Sequence, residues 1–383
     1  MRAFPAVALV TRAVVVAATL ILVGLIWDIA WHRSVGRDTL WSPPHLVEYA
    51  AAIIVGLSCG WLILRTTFGS GAESAAMVRF WGFRGPIGAW VCVWGALAML
   101  TSAPFDDWWH NAYGLDVKIV SPPHMVLLAG MLAIVIGAML MAAAEQNRSA
   151  GNAQSGSRWG YAFASGLVVL LLATATFEYT AFPNLWRGRA FTLVSSAVFP
   201  FALAFAARTG RLRWPATATA AVFMLSSLVL SWVIQFVPAT PKLAPIQNPI
   251  THLVPAPFPV LLIVPAVAFD LLYRRWGERG DWRLSLGLGI AFVATFLAAS
   301  RPMSAFLLSP LARNPVFLAD QWDYTVRLGP WRYQFWDALG GNRVSPLPGA
   351  SPIGTAILFA VVLAAASSRL GLAWGKWMRE VRR

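Results

Sequence analysis

The chain has 383 residues, of which 58% are hydrophobic and only 12% are charged, and its mean hydropathy is +0.63. Soluble globular proteins carry about 25% charged residues, so this composition excludes a soluble domain of useful size and indicates an integral membrane protein. The net charge of +14 could suggest nucleic acid, but the basic residues cluster at alternate loops, as a membrane topology signal does. We therefore expect the lipid bilayer as a partner and no nucleic acid.

Apolar runs of about 20 residues recur along the whole chain, and a run of that length crosses a bilayer as a helix. Only helices and closed barrels satisfy their backbone polar groups in lipid. The sequence therefore predicts an all-α fold, a polytopic transmembrane helical bundle of about ten spans. The predicted spans are about 8–30, 45–66, 85–104, 123–144, 159–181, 190–208, 215–237, 255–273, 283–300 and 352–374.

The distribution of basic residues predicts the sidedness of the bundle. An even number of spans puts both termini on one side, and most of the thirty Lys and Arg residues fall on that side. The positive-inside rule then places both termini in the cytoplasm. We expect an integral protein of the inner (plasma) membrane of a prokaryote, with all five histidines at the extracytoplasmic face.

A polar linker at 146–158 is the best candidate domain boundary. Residues 1–145 carry spans 1 to 4 and form a duplicated helical-hairpin unit, whereas residues 146–383 carry spans 5 to 10, with a long outer loop at 301–351. Cys59 and Cys92 fall inside predicted spans, so we interpret them as packing residues and not as a disulfide.

One motif occurs twice in the first of these regions. Each copy has an Asp, then a His four residues later, and then a second His that follows Ser-Pro-Pro in the next span. Residues four apart share one face of a helix, and Ser with Pro marks the start of a helix. Each copy therefore predicts one carboxylate and two imidazoles that face one another on a helical hairpin. The candidate metal ligands are Asp28, His32 and His45 in the first copy and Asp106, His110 and His124 in the second.

Two imidazoles and one carboxylate suit a first-row transition metal with open coordination positions, and copper, zinc and iron all accept this donor set. A carboxylate at membrane depth also needs a partner, which favours metal binding over separate interfacial histidines. Asp107 competes with Asp106 as the ligand, but only Asp106 lies four residues before His110.

Other polar residues near the motif allow simpler interpretations. Glu48, Asp38 and Asp116 could orient imidazoles, although solvated charges are the more ordinary interpretation. His252 has no partner at a helical spacing, so we interpret it as structural.

The two motifs resemble those of the metal-site subunit of the copper-containing membrane monooxygenases, the particulate methane and ammonia monooxygenase family. In that family, an Asp-x3-His-x12-His set and an Asn-x3-His-x13-His set bind two metal ions near the periplasmic side. The first copy here has the first spacing and the second copy has the second, with Asp106 in the place of the Asn. Arg37-Asp38-Thr39 before Ser-Pro-Pro-His also resembles the family, and the likeness covers about residues 20 to 145.

The resemblance implies copper as the metal and an O₂-dependent hydroxylation of a small apolar substrate. By the same analogy, the catalytic site is the second set, made of Asp106, His110 and His124. The resemblance further implies other membrane subunits, with a cupredoxin-like subunit among them.

Two other functions stay open at the level of sequence. The first is non-catalytic: uptake or delivery of copper or zinc, or a structural metal-binding subunit of a membrane complex. A transporter needs polar residues along its path, and the middles of spans 2, 4, 6 and 9 have few. The second is haem ligation by His45 and His124, which would leave the companion Asp and His of each motif without a purpose.

Overall fold

The computed structural model describes residues 5–36, 39–69, 77–114, 121–149, 155–180, 188–242, 250–277, 280–307, 309–318 and 351–382. Helices account for most of this part of the chain. The helices are α1 (Pro5–Ser34), α2 (Pro43–Phe68), α3 (Ile87–Tyr113), α4 (Pro122–Arg148), α5 (Ser155–Ala175), α6 (Phe177–Thr180), α7 (Gly188–Thr209), α8 (Pro215–Ile234), α9 (Ile263–Trp276), α10 (Asp281–Leu307) and α11 (Pro352–Glu380). The strands are β1 (Val78–Phe80) and β2 (Phe83–Gly85), and a 3-10 turn covers Pro310–Ala312.

In the described part of the chain, nine helices are long and apolar enough to cross a membrane. The prediction of an all-α, polytopic bundle is therefore confirmed. The predicted span at 255–273 differs from the structure, because its first residues form no helix and α9 begins only at Ile263. Prolines at 255, 257 and 259 explain the delay, since proline removes a backbone N–H donor and keeps the preceding residue extended.

The described residues form two compact units. The first comprises the described parts of 1–32, 37–171 and 378–383, and the second comprises the described parts of 33–36 and 172–377. Both copies of the motif lie in the first unit. Most of the predicted outer loop at 301–351 lies outside the described residues, but α10 extends into its start as far as Leu307.

Helices α3 and α4 pack closely along a line of glycines. A Cβ atom at Gly95 would lie 2.8 Å from the carbonyl oxygen of Gly130, and a Cβ at Gly88 would lie 2.6 Å from the carbonyl oxygen of Gly137. No side chain fits between backbones at this distance, which is how small residues bring membrane helices together. The pairing fixes α3 against α4 and so fixes the two helices that carry the second motif.

Both cysteines are free and buried, as the packing interpretation predicts. The thiol of Cys92 in α3 lies 3.7 Å from the carbonyl oxygen of Ile134 in α4, to which it donates a weak hydrogen bond. Cys92 therefore belongs to the same close contact between α3 and α4.

The chain turns from α2 to α3 through an antiparallel hairpin, in which Arg79 pairs with Arg84 and Phe80 with Phe83. The backbone N–H of Arg84 donates to Thr67 Oγ1 at 2.8 Å, which attaches the hairpin to the end of α2.

Charged side chains buried in the second unit have structural partners. Arg208 donates to both carboxylate oxygens of Asp281, at 2.6 and 3.0 Å, and to the carbonyl oxygen of Leu372 at 3.0 Å. Asp270 accepts hydrogen bonds from the backbone N–H and the hydroxyl of Thr217, at 2.9 and 2.8 Å, in the first turn of α8. Arg208 and Asp270 thus have the polar partners that buried ionisable groups require.

Candidate metal centre

The first motif forms a cluster at the end of α1 and the start of α2. His32 Nε2 lies 3.5 Å from Asp28 Oδ2, and His45 Nε2 lies 3.2 Å from Asp28 Oδ1. Each oxygen of one carboxylate thus faces the Nε2 atom of a different imidazole. The three ligand atoms lie within 4.8 Å of one another, so the structure brings together the residues that the spacing predicted.

The second motif repeats this arrangement at the end of α3 and the start of α4. His110 Nε2 lies 3.4 Å from Asp106 Oδ2, and His124 Nε2 lies 3.4 Å from Asp106 Oδ1. The same atoms pair in the same order as in the first motif, and the ligand atoms again lie within 4.8 Å of one another. We call the two clusters the first set (Asp28, His32, His45) and the second set (Asp106, His110, His124).

The Ser-Pro-Pro-His sequence places the last histidine of each set. Two prolines open both α2 and α4 at their first positions, where a missing N–H costs nothing. Ser121 caps α4 and accepts a long hydrogen bond from the backbone N–H of His124 at 3.4 Å. Ser42 instead accepts from the backbone N–H of Thr39 at 2.8 Å and closes the turn before α2. The histidine is therefore the third residue of its helix in both sets.

Backbone carbonyls fix which nitrogen of two imidazoles carries the proton. His45 Nδ1 lies 2.8 Å from the carbonyl oxygen of Thr39, and His110 Nδ1 lies 3.2 Å from that of Gly114. A carbonyl oxygen only accepts, so Nδ1 donates and the Nε2 of the neutral ring presents a lone pair to the carboxylate. Gly114 has φ 96°, a conformation that favours glycine and directs its carbonyl back toward His110. Metal-binding histidines show this pattern of hydrogen bonds.

The distances within each set fit a bound metal ion better than direct hydrogen bonds. A charge-assisted N–H···O bond measures about 2.7–2.9 Å, whereas the four Nε2 to Oδ distances are 3.2–3.5 Å. Ligand atoms about 2.0–2.1 Å from a tetrahedral metal ion lie roughly 3.3 Å from one another. Where the ring is neutral, a cation between the Nε2 lone pair and the carboxylate oxygen would satisfy both atoms.

The carboxylates supply a second observation that favours a bound cation. Asp28 Oδ1 and Asp106 Oδ1 are buried, and neither has a hydrogen-bond partner among the described residues. Leaving a buried acceptor unsatisfied costs about 1–3 kcal/mol, and more for a charged group. A metal ion held by the carboxylate and two imidazoles would remove this cost in both sets.

The structure shows which of the two neighbouring aspartates, Asp106 or Asp107, faces the imidazoles. Asp107 is exposed, and its backbone carbonyl accepts a hydrogen bond from Asn111 Nδ2 at 2.8 Å. Asp106 faces the two imidazoles, as the four-residue spacing predicted.

The interpretation of Glu48 as a solvated charge is wrong, because its exposed fraction is 2%. Its place could have indicated this, since Glu48 lies one helical turn after His45 and therefore on the same face of an apolar helix. Asp38 and Asp116 lie outside the described residues.

His252 lies in the second unit, whereas both sets lie in the first. It forms an isolated antiparallel bridge with Pro238, and its Nδ1 atom lies 2.9 Å from the hydroxyl of Thr251. Within the described ranges it belongs to no cluster of three potential metal ligands. Its structural role stays a prediction.

Comparisons with protein-family models, with curated proteins and with solved structures found no match to this chain.

Each set offers two nitrogen donors and one oxygen donor on one side of a central point, while the imidazoles remain 13–30% exposed. A metal ion bound this way would keep positions open for an external ligand.

Proposed function

We propose that the chain is a copper-binding membrane protein that holds one copper ion in each set. We further propose that the second set is the catalytic site of an O₂-dependent hydroxylation of a small apolar substrate. The observation that carries the metal assignment is the spacing of Nε2 and Oδ atoms at 3.2–3.5 Å in both sets.

Two arguments support copper over zinc and iron. A site of nitrogen and oxygen donors binds Cu(II) more strongly than other divalent first-row metals. The order and spacing of the two sets also resemble those of the metal-site subunit of the copper membrane monooxygenases. In such a centre copper would supply the redox chemistry, and the other subunits that the resemblance implies, with a cupredoxin-like subunit among them, would complete the complex.

The surroundings of the second set favour an apolar substrate. Four aromatic side chains, Phe105, Trp108, Trp109 and Tyr113, contact one another on the last turns of α3, with the rings of Trp109 and Tyr113 4.5 Å apart. Trp108 and Tyr113 are 55% and 59% exposed. This apolar surface lies on the same turns as Asp106 and would bind a small hydrophobic molecule beside the metal.

Copper binding and hydroxylation by the purified protein test this proposal together. The chain in lipid nanodiscs is loaded with Cu(II), examined by electron paramagnetic resonance, and supplied with a chemical reductant, O₂ and a short alkane. We expect His110→Ala to lose the copper signal of the second set and the alcohol product, whereas His252→Ala keeps both. Retention of copper and product by His110→Ala would contradict the proposal.

Copper delivery without catalysis is the second candidate function. The partial exposure of the imidazoles favours it, since a metal ion at such a site exchanges readily with an acceptor protein. Transfer of copper to a chelating acceptor, without any alcohol product, would support delivery over hydroxylation.

A further inference from the structure

The two sets differ in one buried carboxylate. Glu48 follows His45 by three residues in α2, whereas the matching position after His124 in α4 is Leu127. Glu48 is 2% exposed, and it lies one helical turn after His45 on the same face of α2. The first set therefore has a fully buried second carboxylate beside its ligands, and no such buried carboxylate lies beside the second set among the described residues.

Helix α1 is shaped to make room for this carboxylate. A Cβ atom at Gly24, one turn before Asp28, would lie 2.5 Å from Glu48 Cγ and 3.3 Å from Glu48 Oε1. The matching residue in α3 is Ser102, whose hydroxyl donates to the carbonyl of Met99 in its own helix at 2.7 Å. Glycine at position 24 thus permits Glu48 to lie against α1.

The charges of the two sets differ as a result. A divalent ion in the first set would be balanced by Asp28 and Glu48. In the second set it would be balanced by Asp106 without a buried carboxylate beside it among the described residues, which would leave one net positive charge. An unbalanced charge away from water is costly. A buried carboxylate beside another carboxylate is also costly until a cation neutralises the pair.

We propose that Glu48 makes the first set the tighter of the two sites for divalent metal ions, an inference that rests on the proposed function. Glu48 acts as a positioning and charge-balancing residue that lies beyond the three ligands. The second set, with less negative charge, binds its divalent ion more weakly and exchanges it more readily.

Zinc provides the test, because it is divalent and does not change oxidation state. The metal-free protein in detergent is titrated with Zn(II) against a chromophoric chelator. We expect two sites of unequal affinity in the wild type and loss of the tighter site in His45→Ala. Glu48→Gln should weaken the tighter site about 10- to 100-fold, the range for residues that support metal ligands. Binding at the weaker site should not change, which also shows that the variant is folded.

Two further variants separate charge from position. Gly24→Ala keeps the Glu48 carboxylate but moves it with the added methyl group, and we expect it to weaken the same site. Asp107→Asn removes an exposed carboxylate beside the second set and should change neither affinity by more than about twofold, because water and salt screen exposed charges.

Three results would overturn the inference. Unchanged affinities in both Glu48→Gln and Gly24→Ala would do so, and so would an equal loss at both sites. If the wild type bound no zinc, the proposal of two metal centres would itself be contradicted, and this inference would fail with it.

Discussion

At the scale of single residues, one carboxylate in each set faces two imidazoles from different helices. Asp28 and Asp106 each direct one oxygen at each Nε2 atom, and one oxygen of each carboxylate is buried without a hydrogen-bond partner in the described structure. We therefore expect the carboxylate charge to contribute most to metal affinity, since it attracts the cation that both imidazoles also bind.

Asp106→Asn tests this charge at the second set and places there the residue that the resembling family carries. The amide keeps the shape and one oxygen, but it removes the negative charge that balances the metal. We expect the Zn(II) affinity of the second set to fall at least about tenfold, as for loss of other polar partners of a metal, while the first set is unchanged. Chelator competition measures both sites, and an unchanged affinity of the second set would contradict this role of Asp106.

The residues of each set could be predicted from the sequence, whereas their supporting contacts could not. A separation of four residues fixes two side chains on one helical face whatever surrounds them. The acceptors for His45 and His110 are backbone carbonyls of Thr39 and Gly114, and their direction depends on loop dihedrals. The φ of 96° at Gly114 is a property of the folded loop that residue spacing does not encode.

At the scale of elements, the hairpin of α3 and α4 holds the second set rigidly. Two ligands come from α3 and one from α4, so the distance between the helices decides whether the three can bind one ion. The glycine pairs, including Gly95 with Gly130, set that distance.

Gly95→Ala tests the contribution of this close packing. The added Cβ would lie 2.8 Å from the carbonyl oxygen of Gly130, so the helices must separate, at a cost of about 1–3 kcal/mol. We expect a lower thermal midpoint and weaker zinc binding at the second set. Gly60→Ala in α2 is the matched control, because no atom lies within 4 Å of its added Cβ. Equal effects of the two substitutions would contradict the packing role of Gly95.

Hydropathy predicted the long helices because twenty apolar residues are long enough to cross the bilayer by themselves. It failed at 255–273, where the apolar run begins with alternate prolines and forms no helix before Ile263. Hydropathy does not register the backbone restriction at proline.

At the scale of the whole molecule, a contact near the C-terminus bears on the membrane topology. Asn147 Nδ2 at the end of α4 donates to the carbonyl oxygens of Met378 and Val381, both at 2.8 Å. Because α4 is the fourth span, it ends on the side where the chain begins. The predicted placement of both termini on one side, with an even number of crossings, requires the C-terminal helix to end on that side too, and it stays a prediction.

The predicted ten crossings exceed by one the nine long helices of the described residues. The segment before α9, together with α9, would supply the tenth crossing. Residues 253–262 contain no helix, and α9 adds 14 residues. An extended chain rises about 3.3 Å per residue and a helix 1.5 Å, so the two together exceed the roughly 30 Å of the hydrocarbon core. Such a non-helical backbone is tolerated where protein covers it, and Val254 and Val260 in this segment are buried.

We predict that reporters fused to the N-terminus and to the C-terminus both indicate the cytoplasm. A cysteine at exposed position 251, in Thr251→Cys, should react with a membrane-impermeant maleimide from outside the cell. The native cysteines provide the background control, because both are buried. A C-terminal reporter active only outside the cytoplasm, or a cysteine at 251 that reacts only after lysis, would contradict this topology.

The number of metal ions bound per chain tests the presence of two metal centres most directly. The purified protein is loaded with Cu(II), freed of excess metal, and measured by elemental analysis against protein concentration. We expect two copper ions per chain in the wild type, one in His45→Ala, one in His124→Ala, and none in the double variant. A wild type that holds no more copper than the double variant would contradict both centres.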